Sequence, residues 1–283
     1  MAGIQMMSEH ACFGGVQRFF QHESQEIGLP MRFAVYLPPQ AADFPVPAVV
    51  YLAGLTCSEE TFAMKAGAQR VAAQLGLALI APDTSPRDAG VSGESENWDF
   101  GVAASFYLDA TEAPWSTHYR MESYLTKELI PVVGQELPID MNRVGIFGHS
   151  MGGHGALTLA LRHPDLFKSV SALAPICAPT QCPWGKKAFA GYLGPDTRCW
   201  IEHDASALMS QRTTPLCEGS ILIDQGLADK FLATQLYPHL FEQACAKAQQ
   251  ALTLRRHAGY DHGYYFVSTF VAEHLAHHAE VLG

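Results

Sequence analysis

Residues 145–155 read Gly-Ile-Phe-Gly-His-Ser-Met-Gly-Gly-His-Gly, and no other stretch limits the possible folds so sharply. The apolar run 144–147 predicts a buried strand, and 156–161 predicts a helix. Between them, Gly148-His149-Ser150-Met151-Gly152 fits G-x-S-x-G, a pattern that carries chemistry where a strand turns sharply into a helix. That turn would put Ser150 at the tip of an elbow with its hydroxyl exposed above a sheet. Glycines at 148, 152 and 153 remove the Cβ atoms that would clash as the turn packs on neighbouring backbone. The start of the new helix also aims free N–H groups at the place where negative charge would develop.

An elbow of this kind needs a large sheet around it. The 283 residues, 48% of them hydrophobic, suffice for one α/β domain with a substantial core. A net charge of −10 with no Lys/Arg run argues against nucleic acid or an anionic membrane as partner. Residues 1–12 lack a basic segment followed by an apolar stretch, and no apolar run reaches membrane-spanning length. The expectation is a soluble, intracellular protein without a signal peptide. Seven cysteines, an odd number with no C-x-x-C, predict reduced thiols, and Cys177 and Cys182 read as structural.

Along the chain, 13–22 and 31–38 alternate apolar and polar residues and predict an antiparallel start to the sheet. Buried strands are expected at 47–52, 77–82, 169–175, 220–226 and 252–257. Helices are expected at 59–75, 120–136, 232–248 and 264–278. Strands alternating with helices imply a mostly parallel central sheet with helices on both faces. Two segments break the alternation, 83–118 and 176–218. Both are long for connections and are expected to form the rim of the active site, the second as a small helical insertion. With no repeat or linker, the chain reads as a single domain over 1–283.

A serine hydroxyl needs a base, and the base an orienting acid. Both should follow the nucleophile in the order acid, then His, on loops after strands. His262, in a Gly-flanked loop between the last strand and the last helix, is the expected general base. His257 is the rival, placed closer to the strand. Asp229, after strand 220–226, is the expected acid, with Asp224 within the strand and Asp261 beside the base as rivals. The backbone N–H of Met151, and one from the loop after strand 47–52, best from Leu55, would form the oxyanion hole. Cys57 lies in that loop, as a thiol near the pocket or as a small apolar filler. His274, His277 and His278 share a helix; without acidic or Cys ligands beside them they read as a solvated face, and no metal is expected.

Taken together the motifs are more specific than G-x-S-x-G. They include Gly54-Leu55-Thr56-Cys57, Ala81-Pro82-Asp83-Thr84-Ser85-Pro86-Arg87, Trp98-Asp99-Phe100-Gly101, Phe147-Gly148-His149-Ser150-Met151-Gly152-Gly153-His154-Gly155, Cys182-Pro183-Trp184-Gly185-Lys186-Lys187 and Gly259-Tyr260-Asp261-His262-Gly263. With these the chain resembles the S-formylglutathione hydrolase (esterase D) family almost end to end, most loosely at 197–219 and 237–251. The resemblance implies an α/β-hydrolase fold and hydrolysis of S-formylglutathione to formate and glutathione in formaldehyde detoxification. It implies the triad Ser150, Asp229 and His262 already reached from spacing, no cofactor, a cytoplasmic location and a homodimer. For the anionic substrate, Lys186, Lys187 and Arg87 are the candidate cations, and Trp98 and Trp184 the candidate walls. The competing readings are a general small-acyl carboxylesterase, a non-enzymatic binding module on the same scaffold, and an acyl transferase.

Overall fold

The computed structural model describes residues 3–283. Its centre is a nine-stranded sheet in the order β1-β2-β3-β5-β4-β6-β7-β8-β9. The strands are β1 (Gln5–Cys12), β2 (Gly15–Glu23), β3 (Pro30–Leu37), β4 (Val46–Leu52), β5 (Ala78–Pro82), β6 (Ile139–His149), β7 (Ser169–Leu173), β8 (Ile221–Gly226) and β9 (Leu252–His257). The pairs β1–β2, β2–β3 and β3–β5 are antiparallel, and the remaining pairs are parallel. β4, β5, β7 and β8 are buried along their whole length. That explains why they read as continuous apolar runs without alternation.

The helices are α1 (Glu59–Lys65), α2 (Gln69–Leu75), α3 (Met121–Ser123), α4 (Ile130–Glu136), α5 (Met151–Arg162), α6 (Pro183–Tyr192), α7 (Thr197–Trp200), α8 (Ala205–Gln211), α9 (Pro238–Lys247) and α10 (Tyr264–Leu282). α10 packs on β6, β7 and β8 and on α2; α5 packs on β4, β6 and β7 and on α8. The parallel sheet is thus covered by helices on both faces. None of the helices is long and apolar enough to cross a membrane, among the described residues.

The chain departs from the sequence reading at four places. Residues 13–22 are not one strand: Phe13 and Gly14 form the turn of a hairpin, and β1 precedes it. The helix expected at 59–75 is broken at 66–68 into α1 and α2. The helix at 120–136 contains a π turn at Tyr124–Leu129; Pro131 has no N–H to offer, and the Ile130 N–H reaches back to the Leu125 carbonyl. The helix expected at 232–248 is split before Pro238, where Tyr237 takes φ +47°.

The topology fixes where a site can form. β4 has β5 on one side and β6 on the other, so the chain changes direction between β4 and β6. Crevices at the C-terminal ends of strands open at such a point. The register pairs Leu52 with Gly148. The loop leaving β4 therefore lies directly beside the elbow leaving β6.

Candidate active site

Ser150 sits between β6 and α5 with φ +58° and ψ −118°. A non-glycine residue in this region is strained by about 1–3 kcal/mol and holds it only where its surroundings enforce it. Here the Ser150 N–H donates to the Leu173 carbonyl at 3.0 Å, and the Ser150 carbonyl accepts from His154 and Ile176. α5 is buried over residues 151–161, which anchors the elbow from the far side. A Cβ at Gly152 would lie 1.9 Å from the Leu52 carbonyl oxygen, so only glycine lets the elbow nest against the end of β4.

His262 lies after β9 and Asp229 after β8. His262 Nε2 is 2.9 Å from Ser150 Oγ, and His262 Nδ1 is 2.5 Å from Asp229 Oδ2. With Asp229 as a carboxylate, Nδ1–H donates to it and Nε2 is left to accept the serine proton. The Phe231 N–H donates to Asp229 Oδ1 at 2.8 Å, and Gln225 Nε2 donates to Oδ2 at 3.3 Å, so the acid is held from both oxygens. The two loops are joined directly, since the Ala228 N–H donates to the Tyr260 carbonyl at 2.9 Å. They approach so closely at Gly226 that a Cβ there would stand 2.4 Å from the Tyr260 oxygen.

Leu55 and Met151 flank the nucleophile. A Cβ on Gly54 would be 3.2 Å from the Ser150 Cβ, which measures how closely the loop after β4 crosses the serine. Met151 opens α5, whose first N–H groups have no acceptor within the helix. The segment 103–107 braces this loop. The Tyr107 hydroxyl donates to the Ala53 carbonyl at 2.8 Å, and the Thr56 N–H donates to the Ala103 carbonyl at 3.1 Å. Thr56, Ala103, Phe106 and Tyr107 all take positive φ, so strain is concentrated around the elbow.

Ser150, His262 and Leu55 line a cavity of about 350 Å3 together with Gly54, Thr56, Cys57, Thr61, Lys65, Trp98, His149, Trp184, Phe231 and Tyr264; Met151 and Asp229 lie outside this lining. Trp98 is 56% exposed and Trp184 is buried; their rings meet edge to face at 5.5 Å. Trp98 comes from the segment 83–118 and Trp184 from 176–218. Cys57 is a free, half-buried thiol. Burial pushes it up from its ordinary value, partly offset by hydrogen bonds with Thr61 and Tyr264. His149 is buried with neither ring nitrogen bonded, its ring 4.6 Å from that of His262. Burial, then the neighbouring His262, holds it well below the ordinary imidazole range.

The expected cations are not brought to the cavity. Lys186 is exposed and lies outside the lining, because two residues beyond Trp184 a helix has turned by about 200°. Lys187 bonds Asp99 at 2.5 Å and Asn97 at 3.1 Å. Arg87 is engaged by Asp83 and the Cys57 carbonyl. The cation that does line the cavity is Lys65, at the end of α1. The sequence reading missed it, and only the basic residue closing a helix that starts in the oxyanion loop could have pointed to it.

The histidines of α10 also require correction. His274 and His278 are not solvated but fully buried, and they join a second Ser–His–Asp set. Ser169 Oγ meets His278 Nδ1 at 2.6 Å, His278 Nε2 meets Ser171 Oγ at 2.9 Å, Ser171 Oγ meets His274 Nδ1 at 2.8 Å, and His274 Nε2 meets Asp224 Oδ2 at 3.1 Å. Burial alone would raise the Asp224 carboxyl, but hydrogen bonds from His274 and Arg255 outweigh it and hold the group below its ordinary range. From an ionised Asp224 the donors then run in one sense: His274 N–H to Asp224, Ser171 O–H to His274, His278 N–H to Ser171, Ser169 O–H to His278. Ser171 and both rings are sealed from water, and Ser169 opens β7, at the end of the sheet opposite the elbow. The rival pair from the sequence, Asp224 and His257, do bond each other at 3.0 Å, with the His257 ring stacked on Phe270. Among the described residues no group of three His, Cys, Asp or Glu is set to hold a metal ion.

Comparison with known proteins gives a consistent picture. The esterase family model ("Putative esterase") matches residues 24–277. The S-formylglutathione hydrolase of Rattus norvegicus is 50% identical over 280 residues, 99% of each chain. That of Paracoccus denitrificans is 50% identical over 277 residues, 98% of each. A solved S-formylglutathione hydrolase from Agrobacterium tumefaciens superposes with a TM-score of 0.95 at 49% identity, covering 99% of this chain and 100% of its own.

Proposed function

The chain belongs to the S-formylglutathione hydrolase family of α/β-hydrolases and is a hydrolase, and on that premise we propose that it cleaves S-formylglutathione to formate and glutathione, in formaldehyde detoxification, with Ser150 as nucleophile, His262 as base and Asp229 as acid. The observation that carries the assignment is the unbroken line Asp229–His262–Ser150, whose Ser150 and His262 line a cavity together with Gly54, Leu55 and Cys57 of the loop after β4.

Ser150 Oγ attacks the formyl carbon while His262 Nε2 takes its proton. The carbonyl oxygen becomes an oxyanion, facing the backbone N–H groups of Leu55 and Met151; losing such a donor costs about 3–4 kcal/mol of transition-state stabilisation. The C–S bond breaks, glutathione departs with the proton from His262, and a formyl ester remains on Ser150. Water then attacks the ester, gives a proton to His262, and formate leaves as Ser150 recovers its hydrogen. Asp229 keeps His262 in the tautomer both halves require. Trp98 and Trp184 wall the cavity, and Cys57 sits beside it without a covalent part in the cycle.

We read 1–283 as one catalytic domain whose segments 83–118 and 176–218 form the rim, because each supplies a cavity residue. Seven free cysteines favour the reducing cytoplasm. The homodimer is part of the same reading, and size-exclusion with light scattering tests it.

The test of function is kcat/KM on S-formylglutathione beside p-nitrophenyl acetate and butyrate, with Ser150→Ala as blank. A large preference for the formyl thioester is expected. Comparable or better ester turnover would replace this substrate with small acyl esters in general.

A further inference from the structure

Two walls diverge from His262. One runs through Phe231 (ring centroids 5.0 Å apart), Trp184 (4.7 Å from Phe231) and Trp98 (5.5 Å from Trp184). The other runs through His149 (4.6 Å), Tyr264 (6.0 Å from His149) and Lys65, whose Nζ stands 5.8 Å from the Tyr264 ring centre. The first wall is aromatic. The second is polar and ends in an ammonium group for which the described residues supply no ion-pair partner. The other cations nearby are committed or turned away. Arg87 and Lys187 are paired with Asp83 and Asp99, and Lys230 lies over Phe231 outside the cavity lining.

The proposed substrate divides its needs unevenly between these walls. The formyl group has nothing to bind but a hydrogen. The glutathionyl group carries two carboxylates and one ammonium, and it approaches a protein of net charge −10. Lys65 is solvent-exposed but, unlike Lys186, belongs to the cavity lining, and an unpaired cation there is where such an anion gains most. We propose that Lys65 determines specificity for the thiol half of the substrate: it binds a carboxylate of the leaving group, which then lies along the His149–Tyr264–Lys65 wall. This rests on the function proposed above. The contact is remote from the reacting carbon and equal in ground and transition states. It therefore acts on KM and leaves kcat unchanged.

The experiment compares wild type, Lys65→Gln, Lys65→Arg and Lys65→Glu, with Lys186→Gln as a variant of equal charge change. Each is assayed on S-formylglutathione, on the formyl thioester of 2-mercaptoethanol, which carries no charge, and on p-nitrophenyl acetate. Lys65→Gln should raise KM for S-formylglutathione by about 3- to 10-fold at low salt, with kcat and both neutral substrates unmoved. Lys65→Glu should raise it further, Lys65→Arg should restore most of it, and added salt should shrink the difference. Equal KM changes on all three substrates, or the same change in Lys186→Gln, would remove Lys65 from recognition while leaving the function intact. Wild-type enzyme that fails to turn over S-formylglutathione would instead overturn the function, and the role of Lys65 with it.

Discussion

Ser150 is buried, and it carries the cost of its own backbone conformation. Its positive φ is enforced by three backbone hydrogen bonds and by the absence of a side chain at Gly152. Two outcomes follow for single residues. Ser150→Ala or His262→Ala should lower kcat by about 10^4-fold or more with the circular dichroism spectrum unchanged, and Asp229→Asn by less. Activity equal to wild type in Asp229→Asn would remove Asp229 from the triad. Gly152→Ala should abolish activity and lower the melting temperature, because its Cβ can move only by displacing the Leu52 carbonyl. The hydrogen-bonded line Ser150–His262–Asp229, the proposed triad, was legible in the sequence because each member follows a strand, and strands announce themselves by apolar runs. Lys65 and Lys186 were not legible. Whether a helical lysine faces a cavity depends on the rotation of its helix against the sheet, which composition does not record. His274 and His278 misled for a related reason: the hydroxyls that make them buriable, Ser169 and Ser171, are about a hundred residues away in sequence.

Among the elements, the segment 103–107 has the clearest task. It holds the loop that carries Leu55. Tyr107→Phe strands the Ala53 carbonyl, so it should cost about 1–3 kcal/mol in urea denaturation and reduce kcat more than it raises KM. A change in KM alone would mean that the loop does not depend on this bond. The long span 83–118 could be seen in the sequence to be unusual, but the brace could not. It is made by one tyrosine hydroxyl and one alanine carbonyl, neither of which has a motif. The helix interruptions were equally hidden. Pro131 and Pro238 were visible, yet whether a proline ends a helix, opens one or shifts it into a π turn depends on what packs against it.

At the scale of the whole molecule, acid should be the chief threat. His149, His154, His274 and His278 are buried and neutral, His154 being pushed down to about 3 by burial and then by His203. Their folded values lie below the ordinary one, so as pH falls below about 6.5 the unfolded chain binds protons that the folded chain refuses. Stability should then fall by up to about 1.4 kcal/mol per pH unit for each ring held well below its ordinary value, His149, His154 and His278. Glu122 acts lower down. Burial would raise it, but bonds with His163 and Arg162 hold it at about 2, so its contribution is present above its ordinary value and lost as pH drops towards 2. The urea midpoint should therefore be level between about pH 7 and 8 and decline from about 6.5 to 5, before carboxylates matter. A level midpoint down to pH 5 would mean that these rings are not held neutral. The one-way chain from Ser169 to Asp224 has a consequence of a different kind. Its imidazole hydrogens have no local route to solvent, so they trade for deuterium only when α10 lifts from the sheet. Because α10 begins two residues after His262, these two slow signals would act as a clock for how often the site loses its proposed base.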